Sequence, residues 1–140
     1  MLPSCIWRAQ APIAKATTSK ANHRSALRAA LIGADGLAID QSDNIWVVAN
    51  QSDEIVVLDP TGKAIAKLGD FDGIDNSGAV RGLLFPASLV FSGNSVLVTN
   101  LVLDLRLFGF STLDAQWAKQ VTRDTVSRIN RALPPIHAGK

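Results

Sequence analysis

Ala34-Asp35-Gly36-Leu37-Ala38-Ile39-Asp40, the polar turn Gln41-Ser42-Asp43-Asn44, and Ile45-Trp46-Val47-Val48-Ala49-Asn50 form the stretch that decides the fold. A short apolar run, a tight polar turn and a β-branched run closed by Asn read as a β-hairpin. The arrangement recurs as Ser88-Leu89-Val90-Phe91-Ser92, then Gly93-Asn94, then Ser95-Val96-Leu97-Val98-Thr99-Asn100. The two units lie about 50 residues apart, with the second turn shortened, which is near the period of propeller blades.

The first unit continues in register. Glu54-Ile55-Val56-Val57-Leu58-Asp59 is predicted as a third strand, Pro60-Thr61-Gly62-Lys63 as a turn and Ala64-Ile65-Ala66-Lys67-Leu68 as a fourth strand. Four short strands joined by tight turns make one antiparallel blade. Strands apolar at nearly every position suit sheets buried on both faces.

The second unit departs from this plan after Asn100. Ser111-Thr112-Leu113-Asp114 has capping-box spacing, and Leu113, Trp117 and Val121 fall on one helical stripe. Together they predict a short helix over 112–121, whose stripe either covers the body or meets a partner. Thr125-Val126-Ser127-Arg128-Ile129 is then the delayed third strand, and Leu133-Pro134-Pro135 ends regular structure. The expected fold class is all-β, an incomplete β-propeller of about two four-stranded antiparallel blades with one short helical insertion. Blade one spans 33–69 and blade two 83–131, with the insertion at 111–121 and a tail at 132–140. Such a chain is too short to close a ring alone.

The sequence has 140 residues and is 47% hydrophobic, which argues against wholesale disorder. No apolar run approaches the roughly 20 residues of a membrane helix, so no transmembrane segment is expected. Cys5 is the only cysteine, which excludes an intrachain disulfide and a cysteine-based zinc site. Before Asp35 stand five basic residues and no acids; from Asp35 onward 12 acids face 9 bases. The body has no basic stripe with interleaved aromatics, so a nucleic-acid partner is not expected. Residues 1–32 are read as a basic, structureless leader, or alternatively as an organellar transit peptide.

The stretches Ala34–Asp40, Asp43–Ala49 and Val56–Lys63 together resemble the gluconolactonase/regucalcin (senescence marker protein) family, with its P-D-G strand, G-N-L-W-V strand and D-P-x-G-K turn. The more general NHL-repeat pattern is similar and less specific. The resemblance covers about residues 33–129 and is strongest over 33–69. It implies six-bladed propellers that hydrolyse lactones with a divalent cation, calcium or zinc, which polarises the ring carbonyl and acidifies an attacking water. It also implies that Asp35, in the place of the P-D-G aspartate, is a metal ligand. Ala34 stands where the family often has Pro. Nothing ahead of Asp35 matches the family's other ligands, and a calcium ion takes about 6–8 oxygens, so this chain alone is not expected to bind the metal.

Several residues carry two readings. Asp35 is a metal ligand or an Asp-Gly turn opening a strand; the position equated with it in the second unit is Ala87. Asn50 and Asn100 are channel-facing polar groups or, preferably, Asx-turns on their own backbone. Asn50-Gln51-Ser52 also fits a glycosylation sequon. The acid-rich 70–76 segment is read as an inter-blade loop, because Arg81 falls where a calcium loop needs a bidentate Glu. His23 and His137 lie in the two tails without ligand partners. The functional expectation is a partial lactonase-type propeller, inactive alone, with a small-molecule lactone as partner once assembled. The alternative is a non-catalytic NHL-like binding module. Uncovered blade edges predict self-association, and three two-blade copies would supply six blades.

Overall fold

The computed structural model describes residues 6–7, 31–109 and 115–133. Among them the chain is all-β, with one α-helical turn and two short 3-10 turns at Asn50–Ser52 and Leu105–Phe108. The first sheet is an antiparallel meander of β2 (Ala34–Ile39), β3 (Ile45–Ala49), β4 (Glu54–Leu58) and β5 (Ala64–Leu68). The second sheet has the order β8 (Pro86–Ser92), β9 (Ser95–Asn100), β10 (Val126–Asn130) and β1 (Ile6–Trp7). Its first three strands are antiparallel, and β1 adds to β10 in parallel. Ile6–Trp7 thus form a strand within the segment expected to be a structureless leader; the rest of 1–30 and 134–140 lie outside the described residues.

Two further expectations change. The acid-rich 70–76 segment is not simply a loop: β6 (Phe71–Ile74) pairs with β7 (Val80–Gly82) as a separate hairpin. Of the expected 112–121 helix, the described residues show α1 (Ala115–Ala118) as helical, and Val121 lies past its end. Leu113 and the capping-box residues fall outside the described residues. Trp117 meets Phe71 at 5.4 Å between ring centroids, with the ring planes tilted by 46°. The amides of Thr122 and Arg123 both donate to the Gly78 carbonyl, so the insertion rests on the β6–β7 hairpin.

Three loops share one hydrogen-bond circuit. Asp40, Asp59 and Asp75 each open a five-residue loop in which the Asp amide donates to the carbonyl four residues on. In each, the carboxylate accepts from the amides two and four residues on, at 2.8–3.1 Å. The fourth position is left-handed in all three, at Asp43, Gly62 and Gly78. A short carboxylate that satisfies two amides fixes such a turn locally.

The core lies between the two sheets. Trp46, Ile55, Val57, Ala66 and Leu68 of the first sheet pack with Leu83, Val96, Val98 and Ile129. Trp46 is fully buried and meets Phe91 edge to face at 5.5 Å. The sheets also approach closely beside β2 and β8. A Cβ at Gly36 would lie 2.5 Å from the Ala87 carbonyl oxygen and 2.8 Å from the Ser88 Cα, so only glycine admits this contact. The opposite face of the first sheet gathers Val47, Ala49, Val56 and Leu58.

Cross-strand register defines how the two units correspond. Ala34 pairs with Ala49 and Ala38 with Trp46; Pro86 pairs with Asn100 and Val90 with Leu97. The Asn50 amide donates to the Gly33 carbonyl, as the Leu101 amide does to the Phe85 carbonyl. Gly33 and Phe85 are both left-handed, at φ 69° and 47°. Trp46 therefore corresponds to Leu97, and Asn50 to Leu101. Asn100 corresponds to Ala49, so the two closing asparagines are not equivalent.

Candidate functional site

The starts of β2, β4, β8 and β10 and the ends of β3 and β9 meet at one end of the two sheets, as their pairing requires. Asp35 lies there on β2, exposed, within the register shift between Ala34 and Leu37. Among the described residues no hydrogen bond or ion pair holds its carboxylate. The neighbouring backbone is that of Ala87, which Gly36 touches.

Asn50 and Asn100 behave differently from each other and from the expected Asx-turns. The Asn50 Oδ1 is buried without a hydrogen-bond partner and sits against Gly33. Asn100 is a buried clamp. Its Oδ1 accepts from the Leu84 amide at 3.0 Å. Its Nδ2 faces the Gly82 carbonyl at 3.1 Å, Thr125 Oγ1 at 2.9 Å and Ser127 Oγ at 3.0 Å. With these partners its amide is fully engaged and is not available to a ligand.

Asp53, which the sequence pattern did not single out, ties the two sheets together. It is left-handed and buried, and its Oδ1 accepts the Phe85 amide at 2.6 Å. Beside it Glu54 pairs with Lys67 across β4 and β5. Past β9, the Arg106 guanidinium grips Asp104 through two nitrogens, at 2.9 and 2.8 Å. That guanidinium holds the Asp104 carboxyl down to about 2. At the opposite end of the sheets Asp40 receives hydrogen bonds from Asn44 Nδ2 and Trp46 Nε1, each at 3.0 Å. Burial pushes the Asp40 carboxyl up, and these donors, with the Asn44 and Ser42 amides, outweigh it and hold it at about 2.

Of the three residues singled out, only Asp35 presents a carboxylate that a cation can reach. Among the described residues no three His, Cys, Asp or Glu side chains gather as a metal site, and no helix is long and apolar enough to cross a membrane. Asp53 carried no readable signal, since its role depends on a partner 32 residues away. A scan against family models and searches of curated proteins and of solved structures find no match to this chain.

Proposed function

We propose that this chain is part of a β-propeller of the gluconolactonase type and that Asp35 is one ligand of a divalent cation serving lactone hydrolysis. The observation that carries the propeller reading is the direction of packing. The Trp46 face of the first sheet is buried on the second sheet, while the corresponding Leu97 face of the second points away. Equivalent faces thus point the same way round, as in a rotational stack, whereas a two-fold sandwich would oppose them. A further sheet would then cover Val90, Leu97 and Val126. Val90 and Val126 are more than half exposed.

Asp35 fits a hard cation by donor type and exposure; the remaining oxygens must come from other blades or other copies. The bound cation would supply Lewis acidity toward a lactone carbonyl. The second reading, a binding module without catalysis, is favoured by the full engagement of Asn100, which withdraws one of the three residues singled out from any ligand.

The test is the mass of the purified chain by light scattering, followed by calcium titration and a lactone assay. Assembly near three chains, with calcium binding and lactone turnover both lost in Asp35→Asn, is the expected result. Assembly without either response selects the binding module. A cooperatively folded monomer whose calcium and lactone behaviour ignores Asp35→Asn overturns both the assembly and the ligand assignment.

A further inference from the structure

At the far end of the sheets from Asp35, an open cavity of about 780 Å³ lies between the β2–β3 loop, the β8–β9 turn and the end of β10. Its chemistry is one-sided. Arg128 and Arg131 line it with Gln41, Asn94, Ser95 and Asn130, and no Asp or Glu does. Among the described residues neither guanidinium has a carboxylate at ion-pair distance; the pairs present are Lys67 with Glu54 and Arg106 with Asp104. The nearby strand β1 belongs to a segment, 1–34, that contains no acid.

One of the two guanidiniums is also held in place. The Arg131 guanidinium lies over the Phe91 ring at 4.8 Å, a contact that restrains a long side chain and keeps its charge. The Arg131 amide donates to the Asn94 carbonyl at 3.0 Å, which fixes the backbone at the cavity rim. The Asn130 Oδ1 accepts the Ala132 amide at 2.9 Å, leaving its Nδ2 to act as a donor. Two guanidiniums, a carboxamide nitrogen and the Ser95 hydroxyl make a donor-rich lining. Planar guanidinium forks match the paired oxygens of phosphate and carboxylate groups.

We propose that this cavity binds a small oxyanion-bearing ligand, a phosphate monoester or a carboxylate, between Arg128 and Arg131. It is formed by this chain alone and does not involve Asp35. Arg128 shares its strand face with Val126 and pairs with Leu97, so the further sheet of the propeller reading would compete with the ligand for that face.

The test is a titration followed by amide NMR, with glycerol phosphate in one arm and malonate in the other. Saturable shifts at Asn94, Ser95 and 128–132 are expected, and the tighter probe assigns the oxyanion class. Arg128→Gln, at an exposed position, should weaken binding about 10-fold, the worth of a charge-assisted hydrogen bond. Arg131→Lys keeps a charge near Phe91 but loses the fork, and should weaken binding while the thermal midpoint stays put. Three results overturn the proposal. These are non-saturable shifts that salt abolishes with both probes, saturable binding indifferent to Arg128→Gln, and binding that vanishes as the chain self-associates.

Discussion

Asn100 joins distant parts of the fold through one buried side chain. Its amide serves the Leu84 N–H, the Gly82 carbonyl and the hydroxyls of Thr125 and Ser127. Asn100→Ala strands these groups in a buried place, so a loss of about 2–4 kcal/mol is expected from urea unfolding. Gly36→Ala forces a methyl into the Ala87 carbonyl and should cost about 1–3 kcal/mol as the sheets part. Asp40 gives the pH signature. Its folded carboxyl sits at about 2, below the ordinary 3.8. Its stabilisation is complete above pH 3.8 and is lost as pH falls through about 2. Stability measured down that window should drop by on the order of 1 kcal/mol more in the native chain than in Asp40→Asn, after allowance for solvent screening. At this scale the sequence was misleading where it looked most regular. Asn50 and Asn100 both follow a β-branched run, but a one-residue difference in register gives one a packing contact and the other a buried clamp.

The strands were the most legible elements, because β2 to β5 announce themselves through apolar runs separated by polar turns, two of them led by Asp40 and Asp59. The same local chemistry explains why those turns form. Thr61 Oγ1 and the Thr61 and Lys63 amides all donate to Asp59, and these bonds, led by that of the Thr61 side chain, hold its carboxyl below the usual range. Asp59→Ala should weaken the β4–β5 hairpin by about 1 kcal/mol, read as faster amide exchange at Lys63 and Ala64. The insertion was less legible. Its capping-box spacing and apolar stripe imply about three turns, but of the insertion's own described residues only Ala115–Ala118 are helical. What places this segment is tertiary: the Phe71 ring and the Gly78 carbonyl belong to a hairpin that short strands and clustered acids disguised as a loop. Trp117→Ala should therefore raise exchange in β6, β7 and 122–123 while leaving β3 and β9 protected.

The all-β class of the described residues was readable from the repeat, whereas the way the two sheets lock together was not. Asp53 and Phe85, Gly36 and Ala87, and Trp46 and Phe91 are pairs far apart in sequence that only packing brings into contact. Because one cluster takes buried side chains from both sheets, neither sheet has a private core on that side, and the two should unfold as one unit. Trp46→Ala tests this directly. Removing a fully buried indole should cost about 3–5 kcal/mol, a large share of the roughly 5–15 kcal/mol that holds a domain together. If the shared core is what couples the sheets, amides in β4 and β9 lose protection together and by the same free energy, although only β4 neighbours the mutated strand. Loss confined to the first sheet, with β9 and β10 protected as before, would show that each repeat folds on its own and that their contact is a docking of finished units.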